Sequence, residues 1–130
     1  MKDQSHTPPL ETILFVEDEP LIRMDMVEFL RQCGYTVAEA TDAKGAMEAL
    51  KSKLTFNLVI SDIRMPGEMD GRALARWVRE NHPSVQVILT SAYSRSREHE
   101  AVENVSYLAK PYTGQVLLAR IRKMLGQPAQ

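Results

Sequence analysis

Five short apolar runs, at residues 12–16, 35–40, 57–61, 85–90 and 105–109, alternate with segments of helical periodicity. That alternation limits the fold more than any other feature of the chain. Strand-length runs separated by helix-length connectors become parallel neighbours, because a parallel pair needs a long crossover. The helices then cover both faces of the sheet. The third run, Asn57-Leu58-Val59-Ile60-Ser61, is almost continuously apolar, as a strand buried on both faces should be. A length of 130 residues suits one domain with a proper core. The expectation is an α/β fold with a parallel sheet, built from five strands and five helices in alternation.

Helix limits follow from capping chemistry. Pro20 is a good first helical residue after Asp18-Glu19, and Gly34 stops the helix that follows. Ile22, Met26, Phe29, Leu30 and Cys33 line its apolar face. Asp42 caps a second helix through about residue 52, with Ala46, Met47, Ala49 and Leu50 apolar. Asp70 caps a third, with Leu74, Trp77 and Val78 as its stripe and His82-Pro83 as its stop. Segment 94–104 is rich in charge and offers only Ala101 and Val102 for burial, which predicts a short, weakly anchored fourth helix. Thr113 caps the last, where Leu117, Leu118, Ile121, Met124 and Leu125 are apolar. Residues 1–10 read as a flexible lead and 126–130 as a frayed tail, leaving 11–125 as the folded domain.

Composition removes several classes of function. A formal net charge of −1 creates no field to draw in nucleic acid or an anionic membrane. Arg120, Arg122 and Lys123 make only a small basic cluster, suited to a helix C-terminus. No apolar stretch approaches the ~20 residues that span a bilayer, and the first residues lack the apolar centre of a signal peptide. Neither nucleic acid nor membrane is therefore expected as a partner. Cys33 is the single cysteine, which rules out an internal disulfide and fits a reducing cytoplasm.

Polar residues stand just beyond four of the runs: Glu17-Asp18, Asp62, Ser91 and Lys110. In parallel strands these groups converge at one carboxyl edge, where open α/β sheets place their ligands. Magnesium takes oxygen ligands, few of them protein carboxylates, and keeps several waters. Asp18 and Asp62 can supply direct oxygens, and Glu17 can hold a coordinated water. A carboxylate that attacks phosphorus becomes an aspartyl phosphate, and a cation with a lysine offsets the repulsion between the two negative groups. Ser91 can donate one hydrogen bond to a phosphoryl oxygen. Each residue alone has an ordinary structural use as a turn residue, helix-dipole partner or surface charge; their joint placement is what points to Mg²⁺ and phosphoryl chemistry.

At these residues the chain resembles the receiver domain of two-component response regulators, and a chemotaxis-type single-domain receiver in particular. The matching text is Phe15-Val16-Glu17-Asp18-Glu19-Pro20, Ser61-Asp62-Ile63-Arg64-Met65-Pro66-Gly67, Asp70-Gly71, Leu89-Thr90-Ser91-Ala92 and Tyr107-Leu108-Ala109-Lys110-Pro111. The resemblance implies a doubly wound, flavodoxin-like (βα)₅ fold with strand order 2-1-3-4-5. It implies Asp62 as phosphoacceptor, with Glu17, Asp18, Asp62 and the backbone carbonyl of Arg64 around Mg²⁺. Ser91 and Tyr107 match the switch pair, Lys110 matches the phosphate partner, and the Lys110–Pro111 bond is often cis. The stretch from Ser91 to Lys110 is shorter than the family pattern, and the shortening falls on the fourth helix.

The expected function is therefore a phosphoacceptor that takes its phosphoryl group from a histidine kinase or phosphotransfer protein and signals by binding a downstream protein. It is a signalling module, with self-phosphorylation and self-dephosphorylation as its only chemistry. A receiver module of a hybrid histidine kinase is the near alternative. An Asp-nucleophile phosphatase is more distant, since such enzymes place a second acid where this chain has Arg64. A flavin module would need a Ser/Thr/Gly-rich loop in place of Glu17-Asp18-Glu19-Pro20.

Overall fold

A computed structural model describes residues 11–92 and 102–127. Among the described residues five strands, β1 (Thr12–Val16), β2 (Thr36–Ala40), β3 (Leu58–Asp62), β4 (Gln86–Ser91) and β5 (Ser106–Ala109), are each followed by a helix except β4; the helices are α1 (Pro20–Gln32), α2 (Ala43–Leu50), α3 (Gly71–Asn81) and α4 (Gly114–Leu125). The strands form one sheet in the order β2-β1-β3-β4-β5. Every neighbouring pair is parallel. No described helix is long and apolar enough to cross a membrane.

The period-2 alternation of the strands divides the core in two. Leu14, Val16, Val59, Val87 and Leu89 face α2 and α3, against Ala46, Leu50, Leu74 and Val78. Ile13, Phe15, Leu58, Ile60 and Ile88 face the other way, against Met26, Val27 and Leu30 of α1 and Leu117 and Ile121 of α4. Nearly every side chain of β1, β3 and β4 is buried. Only strand ends are left for polar chemistry.

The caps expected at Asp42, Asp70 and Thr113 form: each side chain accepts from the backbone N–H three residues on, at 2.8, 2.9 and 3.1 Å. The first helix is capped by Glu19, whose carboxylate accepts from the N–H groups of Leu21 and Ile22. Glu19 is thereby engaged at the helix start. Gly34 turns the chain with φ 107° and ends α1 as expected. Helix α2 stops at Leu50, short of residue 52, because the Ser52 hydroxyl donates to the Ala49 carbonyl at 2.6 Å and accepts from Leu54 N–H.

Strand limits shift by one residue in several places. Asp62 and Ser91 are the last residues of β3 and β4 rather than the first beyond them. Asp62 pairs with Thr90, and Ser91 with Ala109. Asn57 lies just outside β3 and uses its side-chain oxygen to accept from Thr12 N–H at 2.9 Å. Residues 1–10, 93–101 and 128–130 lie outside the described residues, so the lead, most of the tail and the fourth helix predicted over 94–104 are not described. At the end of that predicted helix, Glu103 and Asn104 form a turn, with Asn104 at φ 63°.

Gly71 opens α3 directly beneath the end of β3. A Cβ there would lie 2.2 Å from the Asp62 carbonyl oxygen and 2.7 Å from Ile63 Cα. Both are backbone atoms that cannot swing aside. At Gly114 a Cβ would meet only the edge of the Phe29 ring, at 2.9 Å, and a side chain can rotate. Gly71→Ala is expected to destabilise the fold by about 1–3 kcal/mol, in the range of overpacked cores. Gly114→Ala should cost distinctly less. Paired thermal melts check this, and an equal loss in both variants would contradict it.

Candidate phosphoryl and metal site

The carboxyl edge of the sheet brings together the groups expected there. Glu17 and Asp18 follow β1, Asp62 ends β3, and Lys110 follows β5. Carboxylate oxygens of Glu17, Asp18 and Asp62 all lie within 4.8 Å of one another. Lys110 Nζ donates to Asp62 Oδ2 at 2.9 Å and to Glu17 Oε1 at 3.3 Å. One ammonium thus bridges two of three clustered acids. Asp18 is exposed, Asp62 and Lys110 are half-buried, and Glu17 is 2% exposed.

Backbone bonds fix this geometry. Glu17 N–H donates to the Ala40 carbonyl at 3.0 Å, which carries the β1–β2 ladder one residue further. Arg23 donates to the Glu17 carbonyl at 2.9 Å and to Glu39 at 3.2 Å, tying the loop to α1 and β2. Lys110 N–H donates to the Ser91 carbonyl at 2.7 Å. The ammonium and the hydroxyl-bearing strand end therefore share one anchor. The Lys110–Pro111 bond is cis, as the resemblance implied. Arg64 N–H approaches Asp62 Oδ1 at a long 3.4 Å. Asp62 therefore has one oxygen committed to Lys110 and one that is only loosely held.

Electrostatics follow from burial. Desolvation is the largest influence on Glu17 and pushes its pKa up, with the Asp62 charge adding to the rise; Glu19 N–H and Lys110 pull it down without cancelling the effect. Burial works against the Lys110 ammonium, but the hydrogen bond and charge of Asp62, then those of Glu17, outweigh it and raise its pKa. A third carboxylate beside this pair leaves the cluster short of positive charge. A small hard divalent cation, which favours oxygen ligands with an open side to water, fits that donor set. Asp18 supplies the open side.

The remaining sequence-derived residues take distinct places. Ser91 is half-buried at the end of β4, next to Lys110 in the ladder. Tyr107 is half-buried in β5, and its hydroxyl accepts from Val102 N–H at 2.8 Å. Two residues at the site carried no clear signal in sequence. Gly71 stands in the sequence only as part of the matching Asp70-Gly71 text, and its close approach to the Asp62 backbone appears only in three dimensions. Tyr112 is given no role by the sequence, yet its hydroxyl is buried with no hydrogen-bond partner among the described residues. Burial, then the charges of Glu17 and Asp62, raise its pKa and keep the phenol protonated.

A stability effect with a definite sign follows for Glu17. Its pKa is higher in the fold than the ordinary 4.5. Folding thus favours its protonated form, and that contribution is lost as pH rises from 4.5 through the raised folded value. In metal-free buffer, the melting temperature of the wild type minus that of Glu17→Gln should decline across that window. Added Mg²⁺ should reduce the decline. A difference independent of pH would contradict the assignment.

The family model described as response regulator receiver domain matches residues 13–122. Sensor kinase CckA of Brucella abortus is 36% identical over 118 residues, which take in 88% of this chain but only 12% of the kinase. Response regulator receiver protein CpdR of the same species is 31% identical over 119 residues, covering 89% of this chain and 98% of CpdR. The solved structure of response regulator protein TrrA from Thermotoga maritima, in complex with Mg²⁺-BeF, superposes with a TM-score of 0.76 at 30% identity, over 88% of this chain and 99% of TrrA. With the fold, the acidic edge and the lysine all in place, the chain belongs to the response regulator receiver domain family.

Proposed function

We propose that Asp62 accepts a phosphoryl group from a phosphohistidine on a histidine kinase or phosphotransfer protein, with Mg²⁺ held by Glu17, Asp18, Asp62 and the backbone carbonyl of Arg64. The observation that carries this reading is the bridging of Asp62 and Glu17 by Lys110 beside a third carboxylate. Asp62 Oδ1, the loosely held oxygen, attacks phosphorus. The P–N bond to the imidazole breaks, a P–O bond forms, and the imidazole leaves with a proton from solvent. The cation, when bound, screens the incoming phosphoryl oxygens from the carboxylates. Lys110 keeps one oxygen of Asp62 fixed and then faces the new acyl phosphate. Ser91 is the donor from the neighbouring strand end, and Tyr107 responds to its movement.

TrrA, with Mg²⁺-BeF, supports the choice of cation. CpdR, a response regulator receiver protein matched over 98% of its length, supports the reading as a receiver that acts in regulation. The match to CckA supports the second setting, a receiver working beside a kinase. The proposed compartment is the cytoplasm, where a lone half-buried Cys33 stays reduced. The near-neutral charge gives no field to attract nucleic acid, and none is proposed as a partner.

Incubation with Mg²⁺ and a small-molecule phosphodonor, followed by intact-mass measurement, should show one added phosphoryl group. Asp62→Asn should abolish it. Asp18→Asn should slow it strongly and remove most of the Mg²⁺-dependent gain in melting temperature, a gain that follows from preferential binding to the folded state. Undiminished labelling of Asp62→Asn would overturn the assignment. Continuous turnover of a phosphoester substrate would favour a phosphatase instead.

A further inference from the structure

Tyr112 is the feature of the site that the phosphoacceptor reading leaves unused. It lies two residues beyond Lys110, half-buried, and packs against the core layer that the sheet forms with α1 and α4. Phenylalanine would fill that apolar space equally well. The chain instead carries a hydroxyl there, shielded from solvent and unpartnered among the described residues. The hydroxyl lies within electrostatic reach of Glu17 and Asp62. Buried polar groups normally find partners, so an orphan beside a ligand site points to a bond made in another state.

Glu17 identifies that state. Both of its carboxylate oxygens are already engaged, Oε1 by Lys110 and Oε2 by Glu19 N–H. A carboxylate that turns toward a cation loosens one of those bonds and needs a replacement donor. A second ammonium would compete with the cation. A neutral phenol donates a hydrogen bond without adding charge of either sign. Building on the Mg²⁺ site proposed above, we infer that Tyr112 is a positioning residue whose hydroxyl donates to the Glu17 carboxylate in the metal-bound state and steadies it there.

The test separates metal affinity from fold stability. Tyr112→Phe, in the full chain, should melt at or above the wild-type temperature without metal, because it removes an unsatisfied hydroxyl. Its dissociation constant for Mg²⁺, from calorimetric titration, should rise roughly threefold to tenfold, the effect of losing one hydrogen bond. Tyr35→Phe is the control, since the Tyr35 hydroxyl bonds Gln127 away from the site; it should leave Mg²⁺ affinity unchanged. Unchanged affinity in Tyr112→Phe would overturn the inference while leaving the metal site intact. An equal loss in Tyr35→Phe would also overturn it, by showing general loosening. A wild type that binds no Mg²⁺ would overturn the parent reading and this inference together.

Discussion

The structure depends on a sheet that is buried on both sides. Once α1 and α4 cover one face and α2 and α3 the other, β1, β3 and β4 can carry almost no polar side chain along their length. An unpaired charge in such an interior would cost far more than a single domain can offset. Polar chemistry is therefore confined to the strand ends. Because the strands are parallel, like ends fall together, and Glu17, Asp18, Asp62, Ser91 and Lys110 become neighbours from positions spread over most of the chain.

That crowding creates its own electrostatic problem. Three carboxylates and one ammonium stand at one edge, and the innermost acid, Glu17, has little contact with solvent. Lys110 offsets part of the repulsion by reaching two acids at once. The rest of the imbalance is negative charge of the kind that a cation would offset. The fold carries a local cost of this kind only because its two apolar layers stabilise everything around it.

Much of this was legible in sequence, and the misses have physical causes. The strands were readable because a doubly covered sheet needs apolar runs such as Leu58-Val59-Ile60. The caps were readable because Asp42, Asp70 and Thr113 are short acceptors placed just before helical stripes. The order of the strands came from the family resemblance, since periodicity alone does not say which strand lies beside which. Single-residue errors at Asn57 and Ser91 arose because ladder hydrogen bonds do not depend on side-chain polarity. Glu19 stands in the sequence as one of two acids before Pro20, whereas its side chain caps α1, a role normally taken by shorter residues. Gly71 and Tyr112 escaped because their surroundings are set by the fold, the backbone of Asp62 and Ile63 pressing on one and burial enclosing the hydroxyl of the other.

The contact at Gly71 has a mechanical consequence. Helix α3 begins close against the backbone that follows Asp62, where Gly71 N–H donates to the Ile63 carbonyl at 2.8 Å and no space is left for a side chain. Strand and helix meet there as a stiff joint, backbone on backbone. That joint leaves little room for the end of β3 to move toward α3. Drift in sequence is constrained in the same way. The outer surface of α3 can be rewritten residue by residue, while any side chain at position 71 must push the backbone of Asp62 and Ile63 aside.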